Sequence, residues 1–178
     1  MSDTFAMIEQ VGPRGMMTLR GDLSSTKLKN AATGVAGVDF PGISECNCVD
    51  ERGIAWMSPD EVLVITPYDE IAKDLKRMQK ILSGTHHLLA NVSDARSVFM
   101  ISGAKSREII AKLSPVDLHP DSLIPGQFRR TRLAQVPAAF WMRDKNTFEL
   151  ICFRSVADYV STLLHNAASA GSEVGYFQ

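Results

Sequence analysis

The sequence predicts an α+β fold built from two similar halves that share one hydrophobic core. Three observations favour it: apolar runs of strand length alternate with amphipathic helical stretches, hydrophobic residues make up 45% of the 178 residues, and the two halves match at fixed spacings. A chain of this length suits one domain or two small fused repeats. We therefore expect a single domain over residues 1–178, built of repeats at about 16–83 and 86–170.

The first half has the pattern strand, helix, hairpin, helix. Its earlier elements are a strand at 16–19, a short helix capped by Ser25 or Thr26, an irregular stretch at 43–51, and hairpin strands at 53–57 and 62–65. The helix that follows is the clearest one, with Thr66 as N-cap and Pro67 as its first residue. Its apolar stripe recurs at helical spacing and consists of Ile71, Leu75, Met78 and Leu82.

The second half repeats this pattern. Its predicted strands lie at 87–92, 97–101, 128–135, 138–142 and 148–153, with a short helix at 105–113 and a last helix capped by Ser155. At an offset of 85 residues Trp56 matches Trp141, Leu63 matches Phe148 and Ile71 matches Val156, and at an offset of 82 Leu28 matches Ile110. A unit of this kind cannot cover its own sheet alone, so two packed copies make physical sense.

Charge and targeting signals narrow the class of protein. The net charge is -1, whereas a nucleic-acid-binding protein needs a basic excess to neutralise phosphates. No apolar run reaches the length of a membrane-spanning helix. The N-terminal residues Met1–Thr4 lack the basic and apolar regions of an export signal. With only three cysteines, we expect a cytoplasmic protein without a disulfide framework.

Short motifs with catalytic or metal-binding potential are weak. Cys46 and Cys48 could place two thiols side by side, but a zinc site usually needs four ligands and no second pair exists. Ser102 and Lys105 fit S-x-x-K without its companion motifs. We therefore expect no catalytic, cofactor-binding or metal-binding residue on this chain.

Five blocks of sequence, in order along the chain, resemble a known family. They are residues 55–61 (AWMSPDE), 92–96 (VSDAR), 114–118 (SPVDL), 125–135 (PGQFRRTRLAQ) and 154–159 (RSVADY). Together they resemble the gamma subunit of heterotetrameric sarcosine oxidase over nearly the whole chain. The chain departs from the family pattern at Ser58, Val62, Val156 and Leu163, which points to a divergent member with a different set of partners.

The resemblance implies a fold like the folate-binding domain of aminomethyltransferases and an accessory role without catalytic residues. The implied partners are large flavin-carrying subunits, whose complex uses FAD, FMN, NAD and tetrahydrofolate to oxidise sarcosine to glycine. Two alternatives stay open: a stand-alone folate-binding protein of the aminomethyltransferase type, and a small-molecule binding module unrelated to folate.

An accessory subunit needs a surface that a partner covers, and an isolated chain would then pair with a second copy as a homodimer. The segment 36–50 carries few charges, and the strand at 129–132 carries the one basic cluster. Arg130 and Arg132 share one face of that strand, which is either a solvated face or a place for an anion or a partner's carboxylates. The partner-contact candidates are Phe40, Ile43, Leu123, Ile124, Arg129, Arg130 and Arg132.

Overall fold

The structure, a computed structural model, describes residues 6–177, so the N-terminal stretch Met1–Thr4 lies outside the described residues. The described residues form ten strands and four helices. The strands are β1 (Met7–Gln10), β2 (Arg14–Gly21), β3 (Cys46–Val49), β4 (Arg52–Ser58), β5 (Glu61–Pro67), β6 (His87–Asn91), β7 (Arg96–Ser102), β8 (Phe128–Leu133), β9 (Val136–Asp144) and β10 (Thr147–Phe153). The helices are α1 (Thr26–Ala36), α2 (Ile71–Leu82), α3 (Ser106–Leu113) and α4 (Ala157–Ala167). Within residues 6–177 no helix is long and apolar enough to cross a lipid bilayer.

The first compact unit consists of Pro13–Asp94. Its five-stranded antiparallel sheet has the order β3-β4-β5-β2-β6. Helices α1 and α2 pack on one face, where alternate strand residues such as Leu19, Ile54 and Val64 join helix residues such as Leu28 in one buried cluster. Strand alternation therefore supplies one side of this cluster, and the helical stripe supplies the other.

The second compact unit consists of residues 6–12 and 95–177. Its five-stranded antiparallel sheet has the order β1-β7-β10-β9-β8. Phe99, Phe140 and Leu150 of this sheet join Ile110 and Leu164 of the helices in a second buried cluster. The single core shared by both halves stays a prediction, since these clusters describe each unit by itself.

Each sheet takes one edge strand from the segment that leads into the other unit. Strand β1 comes immediately before β2 in the sequence, yet it pairs with β7, with Ile8 opposite Ile101. Strand β6 comes just before β7, yet it pairs with β2, with Leu89 opposite Leu19. The chain therefore passes from one unit to the other twice, each time shortly after an edge strand.

Most predicted elements are present, with differences at their boundaries. In α2 the stripe faces the core, since Ile71, Met78 and Leu82 are buried, as predicted. The helix begins later than expected, because Thr66 and Pro67 continue strand β5 and a 3₁₀ turn, Tyr68–Glu70, intervenes. The same kind of turn, Arg154–Val156, comes before α4, so Ser155 does not cap that helix.

Two short strands were absent from the sequence-based prediction. Strand β1 was not predicted, and β3 lies within the stretch at 43–51 that was expected to be irregular. Strand β3 pairs with β4 through a tight turn, with Val49 opposite Arg52 and Asp50 at a positive φ of 50°. Four-residue edge strands carry too short an alternation to stand out in a sequence.

The predicted equivalence of Trp56 and Trp141 is wrong. Trp56 lies opposite Val62, which belongs to the cluster under the helices of the first unit. Trp141 lies opposite Glu149, whereas the neighbouring Phe148 faces the helices of the second unit. Residues paired across strands share a face, so the two tryptophans occupy opposite faces of their sheets. A one-residue slip in the assumed offset causes the error, because side chains alternate with period two.

Candidate functional site

A tight turn in the first unit carries one of the predicted partner contacts, Ile43. The amide of Gly42 donates to Oε2 of Glu45 at 2.8 Å, and the amide of Glu45 donates to the carbonyl oxygen of Gly42 at 3.2 Å. The carbonyl oxygen of Glu45 accepts a hydrogen bond of 2.9 Å from the amide of Trp56 on β4. These bonds fix the turn on the sheet, and they hold the Ile43 side chain outward with 77% of its surface exposed.

A hollow of about 310 Å³ lies beside this turn. Its lining residues are Leu23, Lys29, Phe40, Pro41, Gly42, Ile43, Trp56 and Pro59. Phe40 and Trp56 are partly exposed. Lys29 is the one charged residue in the lining, and its Nζ lies 5.6 Å from the centroid of the Phe40 ring, within cation–π range. The hollow is therefore apolar with a single cation at its wall.

The charge of Lys29 has an acidic neighbour that does not bind it directly. The hydroxyl and amide of Ser24 donate to Oδ1 of Asp22 at 2.6 and 2.9 Å. These hydrogen bonds, together with the charge of Lys29, lower the pKa of Asp22. Within residues 6–177 no carboxylate lies within ion-pair distance of Lys29. The ammonium group therefore keeps its capacity for a carboxylate from outside the chain.

The second unit contains the same turn at residues 124–127. The amide of Ile124 donates to Oε1 of Gln127 at 3.3 Å, and the amide of Gln127 donates to the carbonyl oxygen of Ile124 at 3.1 Å. The carbonyl oxygen of Gln127 accepts from the amide of Met142 on β9 at 3.2 Å. Each of these hydrogen bonds has its counterpart in the turn of the first unit, with Met142 in the place of Trp56.

The third residue of each turn has a positive φ. This angle is 60° at Ser44 in the first unit and 86° at Gly126 in the second. Glycine adopts this left-handed conformation without steric cost, whereas serine pays for the contact of its Cβ with the backbone. The turn of the first unit is therefore held against a small conformational strain.

The connections that lead to the two turns differ in length. Ten residues, 114–123, connect α3 to the turn there, whereas five residues, 37–41, connect α1 to the turn in the first unit. Leu118 and Leu123 of the longer connection are buried in the same cluster as Met142. Arg107 donates to the carbonyl oxygen of Leu118 at 2.6 Å and contacts Sδ of Met142 at 3.1 Å. Met142 is thus buried in one cluster with leucines of its own chain, while the hollow beside Trp56 stays open.

The structure separates the predicted apolar partner contacts into exposed and buried residues. Ile43 and Ile124 are exposed, and Phe40 is partly exposed. Leu123 has no exposed surface, so its prediction as a partner contact is wrong. Its side chain lies in the buried cluster of the second unit, together with Phe140 and Met142 of β9.

The predicted basic cluster lies on β8, an edge strand of the second sheet. Arg130 and Arg132 are exposed and lie on one face of the strand, opposite Ala139 and Pro137 of β9. The guanidinium of Arg129 donates within the chain at 3.2 Å to both the carbonyl oxygen of Ser122 and Oε1 of Gln127. Arg129 thereby stabilises the 124–127 turn. The role of Arg130 and Arg132 as contacts for a partner stays a prediction.

Helix α3 holds the C-terminal segment of the second unit. The buried carboxylate of Glu108 accepts hydrogen bonds from the amides of Val174 at 2.5 Å and Gly175 at 3.3 Å. These bonds, with the nearby charge of Lys112, hold the pKa of Glu108 below its ordinary value despite burial. Lys112 donates to the carbonyl oxygens of Ala167 and Ser172 at 2.9 and 2.6 Å. A hollow of about 360 Å³ lies between α3 and this segment.

The structure places the residues of the short sequence motifs on strands and at the start of a helix. Cys46 is buried and Cys48 is partly exposed on β3, and neither forms a disulfide. Among residues 6–177 no three His, Cys, Asp or Glu side chains come together closely enough to hold a metal ion. Ser102 ends β7, and Lys105 instead lines a hollow of about 180 Å³ at the start of α3.

Sequence reasoning missed Trp56, Lys29 and Glu108. Trp56 was assigned to a strand interior, although its position at the end of a hairpin strand beside a weakly charged segment could have marked it. Lys29 gives no signal of its own, because any lysine on a short helix resembles a solvated one. Glu108 and Lys112 have the spacing of an exposed helical ion pair, which conceals the burial of the glutamate.

Comparison with known proteins identifies relatives in sequence. Residues 20–170 match the sarcosine oxidase, gamma subunit family. A curated relative, the sarcosine oxidase subunit gamma of Corynebacterium sp. (strain P-1), is 26% identical over 121 residues. This alignment takes in 68% of the present chain and 59% of the relative, so the chain spans about three fifths of that relative's length.

Two solved structures are similar to this chain in fold. One is a heterotetrameric sarcosine oxidase from Corynebacterium sp. U-96 in complex with pyrrole 2-carboxylate, with 24% identity, a TM-score of 0.85, and coverage of 94% of this chain and 86% of that one. The other is glycine cleavage system aminomethyltransferase T from Bartonella henselae, with 12% identity, a TM-score of 0.67, and coverage of 92% and 46%. The chain therefore has a mixed α/β fold shared by both proteins.

Proposed function

This chain belongs to the sarcosine oxidase, gamma subunit family, and from that membership we propose that it is a non-catalytic accessory subunit of a heterotetrameric, flavin-dependent sarcosine oxidase. The observation that carries the proposal is the family match, which runs from residue 20 to residue 170. The likeness in fold to a chain of a heterotetrameric sarcosine oxidase, over 94% of this chain, supports it.

The proposed complex oxidises sarcosine to glycine on its large subunits. These subunits carry FAD, FMN and NAD, and the present chain carries no cofactor of its own. In such a complex the flavin would take the two electrons removed from the methyl group of sarcosine and pass them to oxygen, giving hydrogen peroxide. The one-carbon unit would go to tetrahydrofolate when it is present, and would otherwise leave as formaldehyde after addition of water. The role of this chain is to stabilise the assembly, in the cytoplasm.

The proposed contacts with the large subunits are the exposed members of the predicted set. Ile43 and Phe40 form one candidate surface in the first unit. Ile124, Arg130 and Arg132 are candidates in the second unit, where two cations on one strand face can bind a partner's carboxylates. An isolated chain would leave these apolar side chains in water, which favours pairing with a second copy.

We also propose that the two units are repeats of one ancestral unit. The order β3-β4-β5-β2-β6 of the first sheet corresponds to the order β8-β9-β10-β7-β1 of the second. Strands β2 to β6 therefore correspond, one by one, to β7, β8, β9, β10 and β1. Met17 lies opposite Val64 as Phe99 lies opposite Leu150, which corresponds to offsets of 82 and 86 residues. The matching turns at 42–45 and 124–127 support the same proposal.

Co-expression tests the accessory role. The gene for this chain is expressed with and without the genes for the flavin-carrying subunits of the same organism, and the purified material is analysed by size-exclusion chromatography and absorbance. We expect a colourless chain on its own, and a yellow complex that contains it and oxidises sarcosine. A chain that purifies alone with stoichiometric flavin, or one that never associates with those subunits, contradicts the proposal.

A second measurement distinguishes the accessory role from the alternative of a stand-alone folate-binding protein. Isothermal titration of the isolated chain with tetrahydrofolate gives no binding heat if the chain is an accessory subunit without a folate site. Stoichiometric binding by the isolated chain favours the aminomethyltransferase-like alternative instead.

A further inference from the structure

We infer that the hollow beside Trp56 is the docking site for a leucine-like side chain that a flavin-carrying partner subunit presents next to a carboxylate. The inference rests on the proposed accessory role and deepens it, since it names the place of contact and the chemistry of the occupant. Two independent features carry it: the burial of Met142, which takes the place of Trp56 in the second unit, and the single charge in the wall of the hollow.

The second unit shows what fits above this turn. There the residue in the place of Trp56, Met142, is 1% exposed and lies in the same buried cluster as Leu118 and Leu123 of the longer connection. The first unit has the same turn with the same hydrogen bonds, but its connection is five residues shorter and leaves a hollow of about 310 Å³. An aliphatic side chain from outside therefore restores the packing that the second unit achieves with its own chain.

The hollow is already shaped before any partner arrives. The turn is fixed by the Gly42–Glu45 hydrogen bonds and by the bond from the amide of Trp56. Ile43 is held on the rim, so that binding needs no ordering of this loop, and ordering is a main cost of association. Aromatic side chains in a preformed pocket are typical of the residues that contribute most to binding energy.

The charge in the wall selects what lies beside the leucine-like side chain. Lys29 is held over the Phe40 ring and has no ion-pair partner among the described residues of the chain. The nearby carboxylate of Asp22 accepts hydrogen bonds from Ser24 instead. A carboxylate of the partner, placed beside the aliphatic side chain, complements the positive charge of Lys29, whereas Lys29 would repel a cation at the same place.

Affinity measurements with surface variants test the inference. The variants are Ile43→Lys and Lys29→Glu, both outside the buried core, and the matched control is Leu88→Lys, which places the same charge on another exposed apolar residue of the first unit. Association with the co-expressed flavin-carrying subunits is measured by biolayer interferometry, with circular dichroism and melting temperature as checks of folding. We expect about a tenfold or greater loss of affinity for the two hollow variants and less than about a twofold change for the control.

The outcomes separate this inference from the proposed function. If the wild-type chain assembles and Ile43→Lys and Lys29→Glu assemble equally well, the docking site is wrong while the accessory role stands. If the wild-type chain does not assemble at all, the accessory role itself fails. A third outcome also overturns the inference: light scattering shows a homodimer that Ile43→Lys dissociates, while the affinity for the large subunits is unchanged, so that the occupant is a second copy of this chain.

Discussion

Glu108 is the residue at which the C-terminal segment and helix α3 meet, and its charge is set by backbone amides. Because those amides lower its pKa in the folded protein, its stabilising effect is complete above the ordinary carboxyl value of about 4.3 and is lost as the pH falls through the lower, folded value. We expect Glu108→Gln to reduce the free energy of unfolding by about 1–2 kcal/mol at neutral pH. Urea denaturation at neutral and acidic pH measures this change.

The control for that experiment is an exposed carboxylate of the same segment. Glu173 is exposed, so Glu173→Gln is expected to leave the free energy of unfolding within about 0.5 kcal/mol of wild type. The Glu108→Gln variant should also lose less stability than wild type when the pH is lowered through the acidic range. Equal acid sensitivity of wild type and Glu108→Gln would show that another group titrates there.

The cysteines provide a second prediction at this scale. Burial raises the pKa of the Cys152 thiol to about 11, partly offset by the charge of Arg96, and Cys46 is buried as well. Since the thiolate is the reactive form, we expect a thiol reagent to label one cysteine, Cys48, rapidly in the native protein. All three should react after unfolding in denaturant, as measured by absorbance of the released chromophore. The Cys48→Ser variant serves as the control, and rapid labelling that persists in it would contradict the assignment.

At the scale of elements, exchanging glycine and serine at the positive-φ position is expected to have a different effect in each of the two matching turns. Gly126→Ser places a Cβ at a positive φ of 86° and should cost about 1 kcal/mol of unfolding free energy. Ser44→Gly removes that strain at φ 60° but adds freedom to the unfolded chain, so we expect a change within about 0.5 kcal/mol of zero. Thermal and urea denaturation measure both variants.

Another glycine, outside both turns, provides the control. Gly12 has open space where a Cβ would lie, with no atom within 4 Å, and it is not among the glycines with a positive φ. Gly12→Ser should therefore change stability by less than about 0.5 kcal/mol. A Gly126→Ser variant as stable as Gly12→Ser would show that the turn in the second unit relaxes to another conformation.

The sequence predicted the elements well and their register less well. Periodicity identifies α2, the hairpin of β4 and β5, and the short helix α3, because each has a buried face that repeats at its own period. Register is a different matter, since a shift by one residue reverses every side chain of a strand. The assumed offset of 85 matched two tryptophans by identity, whereas the strand pairs Met17–Val64 and Phe99–Leu150 correspond to offsets of 82 and 86.

Part of the candidate site was predicted from the sequence, and the rest depends on the fold. A low density of charge pointed to Phe40 and Ile43, and both line the hollow. The same reasoning chose Leu123, because a leucine in a proline-containing loop has the same local sequence whether it faces solvent or folds back into a core. Trp56 and Lys29 reach the hollow from a strand and a helix that are distant in sequence, and only the fold brings them together.

At the scale of the whole molecule, the exchanged edge strands predict an effect at a distance. Deleting residues 1–11 removes β1, which pairs with β7 in the second unit, although these residues directly precede β2 of the first unit. We expect faster amide hydrogen exchange in β7 and little change in β2, as measured by mass spectrometry. Protection in β5 of the first unit is the internal reference, and faster exchange confined to β2 would contradict the pairing.

The exchanged strands also set the order in which the molecule can be completed during its synthesis. Strand β1 leaves the ribosome before its partner strand β7, because Ser102, which pairs with Met7, follows it by 95 residues. At translation rates of about 5–20 residues per second, β1 waits roughly 5–20 s for β7. The first unit, by contrast, has all its strands once β6 has emerged. During that interval a nascent chain therefore carries a finished first unit preceded by the unpaired strand β1, and a chaperone that shields short exposed strands would act then.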